Sequence, residues 1–275
     1  MVSLAYAVLA CYLSLILFPA QSQTESWSLT DGITMPGELR VANEGLTNGG
    51  TNIYMNSKSL IFKCELDSKG KQLKVVKKEK LITDDLHKQG YNHVGDIDFH
   101  SGYIYAGLEW SSTSPGILAV YDSTTLKMLK YAVTDQEGMP WVAVSVDGTK
   151  LYSTHWNEKS FINVYNATDF SILSQIKTDP TQLPGEIQGA AFWEREPKYL
   201  YLLSNGPYVH RVNIDTGDVE FVLEDNEYAH HVYEAEGITF MDLEDRGLGT
   251  MHLFGNFQTL EEKSIHNFRL GNIAI

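Results

Sequence analysis

The sequence predicts an all-β fold in which one four-stranded unit is repeated around a ring. Three observations carry that expectation. Helical periodicity is nearly absent, and short β-rich runs are separated by turn signals such as HSG at 100–102, VDG at 146–148 and DTG at 215–217. The segments DIDFHSGYIYAGLEW, VAVSVDGTKLYSTHW, GAAFWEREPKYLYLLSNG and GITFMDLEDRGLGTMHLFGN share one plan: an apolar strand, a turn, and a second strand holding an aromatic or His. The markers Tyr105, Tyr152, Tyr201 and His252 recur at spacings of 47, 49 and 51, and Tyr54 in a fainter first copy precedes Tyr105 by 51. Four antiparallel strands per period of this length make the blade of a β-propeller.

The elements follow in chain order. The first 22 residues carry no charged side chain. An apolar run from Val2 to Phe18, then Pro19 and the small residues Ala20 and Ser22, predicts a signal peptide over 1–22, and hence a secreted protein whose first mature residue is Gln23. A short membrane anchor is the alternative, although the run is short for a bilayer span. Residues 23–275 then form one propeller domain. Cys11 leaves with the signal, and Cys64 remains alone in the alternating strand LIFKCEL. Without an intramolecular disulfide, the fold must rest on packing, sheet closure or metal.

Third strands are expected at LIFKCEL, ILAVYD, FINVYN, YVHRVNI and SIHNFRL, and fourth strands at KQLKVVKKE, KMLKYAV, SILSQIK and DVEFVLE. The last copy lacks a clear fourth strand. The N-terminal SWSLT is predicted to supply it, closing the ring and removing exposed edges. The count favours five blades. Six blades of about 42 residues are the alternative, and a pair of β-sandwiches comes third.

The charge is uneven. There are 35 acidic and 21 basic residues, for a net charge of −14. This excludes a nucleic-acid binder, which needs cations to displace counterions. Lys63 to Lys80 holds seven lysines, whereas residues 181–275 carry 16 acidic and 6 basic side chains. The lysines suit an open sheet edge, where they discourage aggregation; binding of an anionic partner is the alternative.

In a blade, the start of the first strand lies beside the end of the second, and all blades place these ends around one axis. Polar residues at these points should therefore converge. They are His93, Asp96, Asp98, Glu109 and Trp110 in copy two; Glu137, Trp141, His155 and Trp156 in copy three; Glu186, Gln188 and Asn205 in copy four; and His230, His231, Glu234, Glu236 and Asn256 in copy five. Copy one offers Asn56, with Glu38 as the expected start of its first strand. Carboxylate and amide oxygens around a vacancy suit Ca²⁺, and added imidazoles tolerate Zn²⁺, Mn²⁺ or Fe²⁺. Crowded carboxylates need either a cation or a shared proton. Glu109 and His155 are the acid/base candidates. Trp110, Trp141 and Trp156 are expected to wall the funnel or to fill the core. GxSxG, HExxH, P-loop and paired CxxC motifs are absent. Asn166-Ala167-Thr168 is a glycosylation sequon, expected on the outside of the ring.

EAEGITFMD (234–242) resembles the blade-opening signature of calcium-dependent lactonase and esterase propellers, the gluconolactonase, luciferin-regenerating-enzyme and phytase-like group. HVGDIDFHSGYIYAGLE and GEIQGAAFWEREPKYLYLLSNG resemble the same opening. The resemblance implies a divalent metal, Ca²⁺ first, held by Glu186, Asn205, Glu236 and Asn256. It also implies hydrolysis of an ester, lactone or related small substrate. A non-catalytic module binding a small ligand or carbohydrate, and an acidic matrix component, are the rival readings. No membrane partner is expected, and the oligomeric state is left open.

Overall fold

The computed structural model describes residues 24–29, 33–69, 72–206, 208–224, 232–243, 250–257 and 264–273; the signal segment and the His230-His231 pair lie outside them. The chain runs through β1 (Thr24–Leu29), β2 (Ile33–Thr34) and a 3₁₀ turn (Gly37–Val41), then β3 (Gly45–Gly49), β4 (Asn52–Asn56), β5 (Leu60–Leu66) and β6 (Leu73–Lys80). A one-turn helix α1 (Asp84–Lys88) leads to β7 (His93–His100), β8 (Tyr103–Glu109), β9 (Pro115–Asp122) and β10 (Met128–Glu137). There follow β11 (Ala143–Val144), β12 (Lys150–Ser153), β13 (Phe161–Asn166) and β14 (Ile172–Lys177), then β15 (Ile187–Phe192), β16 (Tyr199–Ser204), β17 (Tyr208–Asn213) and β18 (Val219–Glu224). The last strands are β19 (Val232–Phe240), β20 (Met251–Phe257) and β21 (Ser264–Ile273). Among the described residues, no helix is long and apolar enough to cross a membrane.

Four antiparallel sheets, β3-β4-β5-β6, β7-β8-β9-β10, β11-β12-β13-β14 and β15-β16-β17-β18, are the blades of a β-propeller. A fifth sheet has the order β1-β21-β20-β19, with β2 also on β21. The regular blades therefore number four, not the five or six that the spacing predicts. The fifth repeat lies in a sheet of different make-up because its fourth strand comes from the other end of the chain. That strand is β1, which pairs with β21 from Thr24↔Ile273 to Leu29↔Phe268, as SWSLT leads one to expect. Trp27 of β1 also packs its ring 5.5 Å from Trp193 and 6.3 Å from Phe240.

Alternation places the core between the sheets. The markers Tyr54, Tyr105, Tyr152, Tyr201 and His252 are all buried on second strands. Cys64 is buried in the core beneath the first sheet, as its strand pattern implies. First strands pack against one another around the axis: β3 on β7, β7 on β11, β11 on β15, β15 on β19, and β19 on β3. Glycine permits this approach. A Cβ on Gly95 would lie 1.8 Å from the Pro140 carbonyl oxygen, and one on Gly189 would lie 2.6 Å from Asp96 Oδ2.

Candidate functional site

The axis has two parts. Deep in it, β7 is tied to its neighbours by two buried aspartates. Asp96 Oδ1 accepts the N–H of Leu46 (3.0 Å) and of Ile97 (2.9 Å), and Oδ2 accepts that of Ala190 (3.1 Å). Asp98 Oδ1 accepts from Thr47 Oγ1 (3.2 Å) and the Phe99 N–H (2.8 Å), and Oδ2 accepts the Val144 N–H (2.8 Å). These contacts join β7 to the inner strands of three other blades. Burial drives both carboxyls up, Asp98 to about 7, against the pull of the donors. Asp96 and Asp98, expected to face the funnel, instead have their oxygens occupied by protein donors that hold the ring together.

Nearer one mouth lies a cavity of about 290 Å³ whose lining includes Glu44, His93, Glu109, His155, Trp156 and Glu236. His93 bridges two carboxylates, with Nε2 2.9 Å from Glu44 Oε2 and Nδ1 3.1 Å from Glu109 Oε1. Burial opposes its charge, but the hydrogen bonds to Glu109 and Glu44 outweigh that and hold the imidazolium up to about 9. The other oxygen of Glu109 accepts the Met139 N–H at 2.7 Å. Glu109 is thus an orienting carboxylate with both oxygens engaged. His155 also has both nitrogens engaged: Nε2 donates to the Ser112 carbonyl (2.9 Å), and Nδ1 accepts the Asn157 N–H (3.2 Å).

Glu236 is buried, yet it borders this cavity. Burial pushes its carboxyl well above the usual range, and repulsion from Glu44, Glu234 and Asp96, together with a hydrogen bond to Glu234, pushes the same way. A carboxyl pair on one strand, sharing a proton beside a cavity, can act as acid and base in a single step.

Of the four residues expected to hold a metal, Glu236 borders the cavity, and Asn205 links Glu186 to the strand that carries Glu236. Glu186 is exposed, and its Oε2 accepts from Asn205 Nδ2 at 3.3 Å. Asn205 Oδ1 accepts the Ala235 N–H at 3.2 Å, which turns the amide oxygen toward protein. Asn256 pairs in register with Glu234, and its side chain lies outside the described residues. Among the described residues, no three His, Cys, Asp or Glu side chains form a group that could hold a metal ion.

Of the tryptophans, only Trp156 borders the cavity. Trp141 is fully buried in the core, and Trp110 is 53% exposed. Asn166 ends β13, and its Oδ1 accepts the Thr168 N–H at 2.7 Å. Glu38 lies exposed in the 3₁₀ turn, so the first strand opens instead at Glu44-Gly45. The sequence signal for Glu44 is the match between Glu44-Gly45-Leu46-Thr47 and Glu236-Gly237-Ile238-Thr239.

No family model matches the chain, and no curated protein matches it. Among solved structures 1250 chains match, so the architecture alone assigns no activity. One of them is a luciferin-regenerating enzyme, with a TM-score of 0.51 and 12% identity over 90% of this chain and 80% of that one. At that identity the likeness shows the fold alone: this chain is built as a β-propeller of the kind seen in that enzyme.

Proposed function

We propose that the axial cavity hydrolyses an ester, lactone or related small acyl substrate, using Glu234 and Glu236 as the acid–base pair. The observation that carries the reading is Glu236, a buried carboxyl whose protonated form is favoured by burial and by its acidic neighbours, beside Glu234 at the edge of a cavity. Glu234 takes a proton from water as the water oxygen adds to the acyl carbon. Glu236 gives its proton to the carbonyl oxygen. Collapse of the adduct breaks the bond to the leaving oxygen, which takes the proton from Glu234, while the former carbonyl O–H returns its proton to Glu236. His93 and Glu109 position Glu44, and Trp156 supplies an apolar wall. The fold is shared with a luciferin-regenerating enzyme, so a propeller of this build can carry an enzyme's site.

Three further proposals complete the reading. The fifth sheet acts as a fifth blade, supported by the closed circuit of inner-strand packing. The protein acts outside the cell after loss of residues 1–22, and Asn166 carries a glycan. A divalent cation between Glu44 and Glu236 is the second reading, favoured by the repulsion between those carboxylates.

The test is a panel of aryl esters and δ-lactones, with and without chelator. Turnover should survive chelation and fall about 10²–10⁴-fold in Glu236→Gln. Loss of turnover on chelation, restored by Ca²⁺, would support the second reading. No turnover at all, or an unaffected Glu236→Gln, sinks the first.

A further inference from the structure

A second cavity, of about 600 Å³, runs between the second and third blades and shares His155 with the axial mouth. Its floor is a chain of fixed amides. Gln136 Nε2 donates to the Gly138 carbonyl (2.8 Å) and Ser153 Oγ (3.1 Å). Its Oε1 accepts from Asn163 Nδ2 (2.8 Å) and Tyr165 OH (3.0 Å), and Asn163 Oδ1 accepts from Gln175 Nε2 (2.9 Å). A floor with its hydrogen bonds made internally is stiff, so the groove is preformed.

The two sides of the groove are the outermost strands of their sheets, β10 and β14, which have no outer strand partner among the described residues. Val133 on one rim and Ile172 on the other are 55% and 58% exposed. Along β10, burial alternates from Val133 to Glu137, so Val133, Asp135 and Glu137 face outward while Thr134 and Gln136 face the floor. Asp135, Glu137 and Glu158 line the groove, and no Lys or Arg does. At the far end Lys130 is already committed, donating to the Thr168 carbonyl and lying 4.5 Å from the Phe170 ring centroid.

We propose that this groove docks an extended basic peptide segment, which adds as a strand to the open edge of β10 and points one end toward the axial mouth past His155. An open edge supplies main-chain pairing, and alternate side chains meet the wall. Positive side chains would then meet Asp135, Glu137 and Glu158, and apolar ones Val133 and Ile172. The docking stands on the groove alone. That the docked segment carries the acyl group cleaved at the mouth rests on the reading of Glu234 and Glu236 above.

The experiment keeps the two apart by using the full chain as Glu236→Gln, which would bind without turnover. A fluorescein-labelled acetyl-KVKVKV-amide is titrated by anisotropy. Binding should weaken about five-fold or more in the double variant Asp135→Asn/Glu137→Gln, and also in Ile172→Lys, which places a like charge on the rim. It should weaken further with added salt. All three positions are exposed, and melting curves confirm that the variants remain folded. The proposal is overturned if the charge-reversed acetyl-EVEVEV-amide binds as well, if neither variant changes affinity, or if neutral cellohexaose displaces the peptide. Peptide binding without ester or lactone turnover by the unsubstituted chain would retain the groove and remove only the mouth reading.

Discussion

Two carboxylate pairs sit on inner strands at the same spacing, and their surroundings differ. Asp96 and Asp98 on β7 accept hydrogen bonds from Leu46, Ile97, Ala190, Thr47, Phe99 and Val144. Glu234 and Glu236 on β19 are hydrogen-bonded to each other beside a cavity. One member of each pair lies where a β-bulge shifts the register: Asp96 between Val94 and Ile97, and Glu236 between Ala235 and Gly237. A bulge re-aims a side chain without ending the strand. Position on a propeller axis therefore does not by itself give a carboxylate a role.

Asp96→Ala should give the largest effect. It strands three buried N–H groups on three different inner strands, a loss of about 3–5 kcal/mol in urea unfolding. Glu236→Gln should stay within about 1 kcal/mol of the parent, because it removes repulsion as well as a partner. Equal losses at the two sites would erase the distinction between staple and reacting pair.

Acidity gives a second, intermediate contrast. The folded value of Asp98 is raised to about 7, above its unfolded value. Its contribution is therefore fully present below the unfolded value and declines as pH rises toward about 7. His93 is also raised, from 6.5 to about 9, so its contribution is lost as pH rises from 6.5 through about 9. Stability should fall across both windows in turn, by an amount on the order of a few kcal/mol. Asp98→Asn should flatten the lower window and His93→Asn the upper one. A curve that rises with pH across either window would contradict the corresponding assignment.

Much of the fold was legible because repeats leave periodic marks. The Tyr and His markers located all the second strands, and SWSLT located the strand that joins the chain ends. The blade count was less so, because the fifth repeat lies in a sheet that takes its outer strand from the far end of the chain (Thr24↔Ile273 to Leu29↔Phe268). The site was legible only in part. His93, Glu109, His155, Gln188, Glu234 and Glu236, which strand ends should bring together, line one cavity. That Glu109 and His155 have both polar atoms engaged is not legible, because Met139, Ser112 and Asn157 act through backbone atoms that no residue type reveals. Glu44 was missed, although Glu44-Gly45-Leu46-Thr47 repeats the fifth copy's opening, because Glu38 is the nearer acid to the preceding loop.

The smallest expected effect concerns Glu186, which the family resemblance makes a ligand and the geometry makes a turn residue. Its φ is 57°, in the left-handed region where a side chain is strained, and its backbone carbonyl accepts the Asn205 N–H at 3.1 Å. Glycine adopts that conformation freely, while the side chain contributes one long hydrogen bond, at 3.3 Å, to Asn205. The greater freedom of glycine in the unfolded chain offsets part of the relief. Glu186→Gly should therefore shift stability by no more than about 1 kcal/mol, toward gain, with ester and lactone turnover unchanged. If turnover falls with the fold intact, Glu186 belongs with Glu234 and Glu236 at the mouth, and the line between reacting and structural carboxylates must be redrawn to include the turn before β15.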